Sequence, residues 1–184
     1  QVLQLAWRQV GQRYGYPKHA DDSVAGEPEF VIVGYGKVGG IELGHSSDLD
    51  LVFIHNGDQL CETDGAKPID SAQFYTRLGQ RIIHLLTTQT ASGALYEVDM
   101  RLRPSGAAGL LASSLSAFER YQENEAWTWE HQALVRARVL AGSAELGARF
   151  EAIRAQVLGR ARDEQALRAE VSEMRAKMRD NLGT

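Results

Sequence analysis

The sequence has 184 residues, of which 43% are hydrophobic and 24% charged, the balance of an ordinary globular chain. That balance excludes collagen-like, low-complexity and wholly disordered chains, and no apolar run approaches the roughly 18 residues of a membrane helix. Net charge is −4, with 7 basic and 11 acidic side chains in residues 1–90 and 13 of each in 91–184, so the basic excess that drives nucleic-acid binding is missing. The one cysteine, Cys61, rules out an internal disulfide framework and points to a reducing compartment such as the cytoplasm. The length suits one domain, or one domain with a helical appendage. The chain starts on Gln1 without a signal peptide and ends straight after a helical pattern, so it reads as a piece of a longer protein.

In chain order, residues 2–14 are expected to form an amphipathic helix, with Val2, Leu5, Ala6, Val10 and Tyr14 at helical spacing. A loop with Pro17, Gly26 and Pro28 leads to a buried strand over Glu29–Val33. Gly34–Ser47 is glycine-rich, with room for only a short helix, and Leu49–His55 is a second strand. After a polar loop over 56–68, Asp70 caps a long helix reaching about Thr88, with Phe74, Leu78, Ile82 and Leu85 on one face. Leu95–Leu102 alternates apolar and charged residues as a third strand, broken by Pro104 and Gly106. From Ser113 onward only helices are expected, near 114–124, 126–138, 143–158 and 163–181. In the last of these, Leu167, Val171, Met174 and Met178 make a packing stripe, supported by the i,i+4 pairs Glu164/Arg168 and Glu173/Lys177. The expected division is a core over 1–112 and a helical region over 113–184.

The sharpest chemical feature is Ser46-Ser47-Asp48-Leu49-Asp50-Leu51. On a strand, Asp48 and Asp50 share a face while Leu49, Leu51 and Phe53 point the other way. Two carboxylates that close repel each other and raise each other's proton affinity unless a cation sits between them. A third, Asp99, lies on another expected strand, where alternation places Glu97, Asp99, Arg101 and Arg103 on one face. Three carboxylates with arginines suit two Mg²⁺ ions and a triphosphate, since Mg²⁺ prefers oxygen ligands and no His or Cys joins the set.

Gly34-Tyr35-Gly36-Lys37-Val38-Gly39 matches the G-x-G-x-x-G dinucleotide fingerprint after a strand. A Rossmann unit then needs a crossover helix before the next parallel strand, and the eight residues Gly40–Ser47 are too few. Its acidic residue should also follow the second strand, whereas Asp48 and Asp50 begin it. No segment fits a Walker A loop.

A strand, a glycine-rich turn, a short helix and D-x-D on a strand together resemble the DNA polymerase β-type nucleotidyltransferase superfamily. The stretches GYGKVGGIELGHSSDLDLVF (34–53), QFYTRLGQRIIHLL (73–86), LYEVDMRLRPSGAAG (95–109) and NEAWTWEHQALVRARV (124–139) narrow this further. They resemble the glutamine-synthetase adenylyltransferase/adenylyl-removing family, and the wording of SSDLDLVF and NEAWTWEHQALVRAR is similar to its C-terminal, adenylylating half. The resemblance implies an α/β fold: a small mixed sheet of the polymerase β-type with flanking helices and a C-terminal helical region. It implies Mg²⁺-dependent transfer of AMP from ATP to a tyrosine hydroxyl of glutamine synthetase, with glutamine and the PII signalling protein regulating the full-length enzyme. Two Mg²⁺ ions are then expected: one, shared by Asp48, Asp50 and Asp99, activates the phenol, and a second, held by Asp48 and Asp50, grips the triphosphate. Gly36 matches the first glycine of the family's phosphate turn; Lys37 stands where a second small residue is usual, and Gly39-Gly40 is the other candidate pair. The deadenylylating half, which releases ADP with phosphate, and a non-catalytic regulatory nucleotide-binding module are the alternatives. Neither a nucleic acid nor a membrane is among the expected partners.

For the remaining residues two uses stay open. Arg101 and Arg103 either contact the triphosphate or pair with Glu97 or Asp99. Lys37 reaches a phosphate or is a solvated turn residue; Ser46 and Ser47 either contact phosphate or only form the turn before the strand, the turn being the better reading for Ser46. Trp127, Trp129 and His131 could stack on a base, but Trp127, His131 and Leu134 share a helix face, which favours a packed helix. Arg136 and Arg138 flank different faces of it. His19, His45, His55 and His84 have no metal-ligand spacing, and only His45 lies near the site.

Overall fold

The structure, a computed structural model, describes residues 1–44, 47–57, 60–90, 93–161, 168, 169, 171–174 and 176. After helix α1 (Val2–Tyr14) come strand β1 (Phe30–Gly34), the four-residue helix α2 (Gly36–Gly39) and strand β2 (Leu49–His55). Helix α3 (Ser71–Leu86) leads to the short hairpin β3 (Gln89–Thr90) and β4 (Gly93–Ala94), then to β5 (Val98–Asp99). Strand β6 (Ala112–Ser114), helices α4 (Leu115–Asn124) and α5 (Thr128–Val135), strand β7 (Arg138–Gly142) and helix α6 (Ala144–Leu158) follow.

The main sheet is mixed, and β2 is its axis. Antiparallel to β2 on one side runs β1, in register from Phe30↔His55 to Gly34↔Leu51. On the other side β5 and β6 both run parallel to β2, β5 beside its start (Leu49↔Val98, Asp50↔Asp99) and β6 beside its end (Phe53↔Ala112 to His55↔Ser114). Strand β7 closes the β1 edge antiparallel, with a bulge between Ile32 and Val33.

Each face of the sheet carries its own core. Leu49, Leu51 and Phe53 of β2 join Phe30 and Ile32 against α1 and α3, where Trp7, Phe74, Leu78 and Ile82 are buried. Val52 and Ile54 join Val31 and Val33 against α4, α5 and α6, with Phe118, Leu134 and Phe150. Alternation along two adjacent strands thus builds two layers of helix around one sheet. Gly79 lets α3 close on the sheet, since a Cβ there would stand 2.8 Å from the Phe53 ring.

Helix α3 begins as expected: Asp70 accepts the Gln73 N–H at 2.7 Å. In α1 the buried stripe is Leu3, Ala6, Trp7 and Val10, while Leu5 is exposed. Trp7 turns the helix onto its own side, with ring centroids 5.2 Å from both Phe74 and Tyr16.

Two expectations are corrected. The third strand is two residues long, because the chain leaves the sheet after Asp99 into turns and a 3₁₀ turn over Gly106–Ala108. The region beyond Ser113 is not purely helical: β6 reaches Ser114, and β7 starts at the last residue of one expected helix and fills the link to the next. Helix α5 stops at Val135 because Arg154 donates to the Leu134 and Val135 carbonyls, at 2.7 and 2.8 Å, satisfying groups that would otherwise bond onward. The sheet therefore runs on across residue 112.

Of the expected last helix, 168, 169, 171–174 and 176 are helical. Leu167, Met178, Glu164 and Lys177 lie outside the described residues, as do His45 and Ser46. Among the described residues no helix is long and apolar enough to cross a membrane.

Candidate functional site

The start of β2 carries the acidic pair. Its odd residues are buried on the α1/α3 side, so Asp48 and Asp50 fall on the opposite face, Asp48 exposed and Asp50 half-buried. Parallel pairing places Asp99 of β5 beside Asp50 as its register partner. The Leu49 N–H, donating to the Glu97 carbonyl at 2.8 Å, fixes this alignment. All three expected carboxylates are thus brought to one corner of the sheet, and Glu97 stays exposed.

The electrostatics follow. Burial, then the charges of Asp99 and Asp48, push the Asp50 carboxyl above the ordinary carboxylate range, against the pull of Arg101 and Lys37. Asp99 moves the other way: hydrogen bonds from Arg101 hold it low despite some burial. The Arg101 guanidinium lies 2.6 Å from Asp99 Oδ2. Among the described residues, no group of three or more His, Cys, Asp or Glu side chains closes into metal-ligand geometry.

The glycine turn between β1 and β2 abuts this corner. Gly36 has φ +53°, and a Cβ there would stand 2.6 Å from Asp50 Oδ2. Only glycine meets both demands, conformation and proximity. The Tyr35 N–H donates to the Asp50 carbonyl at 2.9 Å, tying the turn to the strand. Lys37 is exposed beside the turn, and its charge reaches Asp50. The Ser47 hydroxyl accepts the Gly44 N–H at 3.3 Å, so Ser47 is also a turn former.

Gly39 and Gly40 do something else. A Cβ on Gly39 would lie 1.8 Å from the Arg136 carbonyl, and one on Gly40 would lie 2.6 Å from the Arg136 guanidinium. Arg136 also pairs with Glu42. Arg138 donates Nε to the Gly39 carbonyl at 3.1 Å and Nη2 to the Val38 carbonyl at 2.9 Å. The two arginines, separated by almost a hundred residues from the turn, clamp α2 onto β7. This contact spans too much of the chain to leave a local signal; a pair of glycines beside a turn is its one trace, a mark of close backbone approach.

The aromatic segment plays a structural part. Trp127 lies outside the helix as the N-cap of α5 and is 67% exposed. It therefore does not share a packed face with His131. Its N–H donates to Glu130 Oε2 at 2.9 Å, while His131 Nε2 lies 2.9 Å from the Gln122 carbonyl. Buried Glu130 also accepts the Tyr121 hydroxyl at 2.8 Å, and burial with that bond pushes the Tyr121 phenol up to about 12.

The donor set fits a hard divalent cation. It is all oxygen and comes from two hydrogen-bonded strands, with Asp50 and Asp99 as register partners and Asp48 two residues away.

A family model described as glutamate-ammonia ligase adenylyltransferase matches residues 1–153. Over all 184 residues the chain is 76% identical to the bifunctional glutamine synthetase adenylyltransferase/adenylyl-removing enzyme of Pseudomonas putida and 74% identical to that of Pseudomonas aeruginosa. Identity to the enzyme of that name from Pseudomonas syringae pv. tomato is 76%. The whole chain is covered in each case, and it spans 19% of each relative's length. Because the matched stretch takes in the acidic corner, the glycine turn and the arginine clamp alike, the chain belongs to the glutamate-ammonia ligase adenylyltransferase family.

Proposed function

We propose that this chain holds a nucleotidyltransferase site that moves AMP from ATP to a tyrosine hydroxyl of glutamine synthetase, releasing pyrophosphate. The observation that carries this reading is the pairing of Asp50 with Asp99, with Asp48 two residues away and the Gly36 turn against them. The names of the Pseudomonas relatives support glutamine synthetase as the target.

Asp48 and Asp50 are the residues to hold a pair of Mg²⁺ ions, with Asp99 completing the site on the side of the attacking group. When bound, Mg²⁺ neutralises the triphosphate and lowers the proton affinity of a phenol whose free pKa is about 10. The chain's own groups do the rest. Gly36 leaves the turn without a side chain, so a phosphate can approach the backbone next to Asp50. Lys37, exposed and within electrostatic reach of Asp50, offers a cation to that phosphate. Gly39 and Gly40 keep the turn flush against β7, and Ser47 shapes the entry to β2. The Asp99 carboxylate, once Arg101 has turned away from it, can accept the phenolic proton. Arg101 serves the phosphates, while Arg103 steadies the loop that follows Asp99. Glutamine and the PII protein act on the larger polypeptide, in the cytoplasm.

The test uses ATP labelled at the α-phosphate, with Mg²⁺ and unmodified or adenylylated glutamine synthetase. Label on a tyrosine of the unmodified enzyme is expected. Release of ADP from the modified enzyme with phosphate, without label transfer, would assign the chain to the deadenylylating reaction instead. No turnover of either form would leave a binding module.

A further inference from the structure

Arg101 and Arg103 stand two residues apart, yet the chain holds them differently. Arg103 donates to the carbonyls of Met100, Ala107 and Gly109, at 2.8, 3.1 and 3.3 Å, and so staples the loop. Among the described residues the guanidinium of Arg101 bonds to Asp99 alone: Nη2 lies 2.6 Å from Oδ2, and Nε lies 2.8 and 3.1 Å from the two oxygens. The Arg101 backbone N–H adds a bond to Oδ1 at 2.8 Å. Both Asp99 oxygens are thereby taken. The side chain of Arg101 is nonetheless 81% exposed, so water and a competing cation can reach the pair and solvent is open to the guanidinium when it leaves.

We propose that Arg101 is a built-in counter-cation of the acidic corner, which a divalent cation displaces from Asp99 and which then turns to the phosphates of the nucleotide. The proposal rests on the metal-site reading of Asp48, Asp50 and Asp99 given above. Three carboxylates at one corner repel, and a chain without bound metal must compensate them with its own charge. The charge of Arg101 acts on Asp50 and Asp48 as well as on Asp99, so it sits where compensation is needed. A doubly charged ion outcompetes one guanidinium for the same oxygens. The freed planar fork then matches phosphate oxygens, which accept from it in pairs. Arg103, bound to three carbonyls, has no such freedom.

The test reads metal binding without turnover. Mn²⁺ is titrated into the nucleotide-free chain, and free Mn²⁺ is followed by electron paramagnetic resonance. Arg101→Gln should bind Mn²⁺ about tenfold more tightly than the unsubstituted chain, since a competing positive charge is gone. Arg101→Lys, which keeps the charge, should stay close to the unsubstituted chain. In an Asp99→Asn background the gain from Arg101→Gln should vanish. With Mn²⁺ saturating, Arg101→Gln should bind ATP more weakly, the opposite sign. Equal or weaker Mn²⁺ binding by Arg101→Gln would overturn the displacement while leaving the metal site standing. Unchanged ATP affinity would overturn the transfer to phosphate. Absence of Mn²⁺ binding in every variant would overturn the metal-site reading and this proposal with it.

Discussion

Asp50 and His55 show how one strand carries two opposite kinds of buried ionisable group. Asp50 is held above its ordinary range by burial and by two neighbouring carboxylates. Its ionised form is therefore less favourable in the folded chain than in the unfolded one, and the chain loses stability as pH rises through the folded value. Asp48→Asn or Asp50→Asn should abolish AMP transfer yet leave the metal-free melting temperature unchanged or higher near pH 7. A marked fall in that temperature would mean the carboxylates stabilise the metal-free fold. His55, 2% exposed, stacks on Tyr75 with ring centroids 4.5 Å apart, and its Nδ1 accepts the Gly57 N–H at 3.2 Å. Burial lowers it to about 4. Between pH 6.5 and about 4 the unfolded chain takes up a proton that the folded chain refuses, so stability drops by about 3 kcal/mol as pH falls through that window. His55→Asn keeps an acceptor for Gly57 and should remove this component from the pH dependence of denaturant unfolding. An unchanged slope would place the acid sensitivity elsewhere. Both carboxylates of the D-x-D pair were legible because strand period and like charge are local properties. The link between Arg101 and Asp99 was only partly so. Alternation put them on one strand face, whereas they meet across a turn that begins where the strand stops.

At the scale of elements, legibility followed burial. Strands β1 and β2 are almost wholly buried and read as apolar runs, and α3 announced itself by its cap and its Phe74–Leu78–Ile82 stripe. Strand β7 is an exposed edge over most of its length and therefore shows no buried face to detect. Strands β5 and β6 are two and three residues long, and their partner β2 supplies the ordering that their own sequence lacks. Missing β7 also hid the arginine clamp, because Arg138 reaches α2 only when β7 pairs with β1. Arg138→Ala should free the Val38 and Gly39 carbonyls and loosen the turn. Hydrogen exchange should quicken at the Gly39 and Gly40 amides, which donate to the Tyr35 and Gly36 carbonyls in the folded chain. ATP affinity should fall, with Mn²⁺ affinity of the metal-free chain little changed, because the carboxylates sit on other strands. Arg138→Lys should restore part of the loss, since a single ammonium cannot span both carbonyls as the fork does. Exchange at those amides as slow as in the unsubstituted chain would show that α2 holds itself.

For the whole molecule, one mixed sheet with a helical layer on each face brings residues from four stretches of the chain to a single corner. The glycine turn comes from near residue 36, the carboxylates from near 48 and 99, and the clamp from 136–138. Fold class was legible because the buried β1 and β2 runs, the turn between them and the long helices are strong local signals. The way residues 112–158 complete the same sheet was not, since that depends on pairing across the whole chain length. At this corner three carboxylates face Lys37 and Arg101, so negative charge remains in excess and a bare triphosphate meets net repulsion there. The most direct measurement is calorimetric titration of ATP into this chain with Mg²⁺ and again with EDTA. Binding is expected in Mg²⁺, to be lost in EDTA and in Asp50→Asn; equal affinity in Mg²⁺ and EDTA would contradict a site in which Asp48, Asp50 and Asp99 bind the nucleotide through a divalent cation.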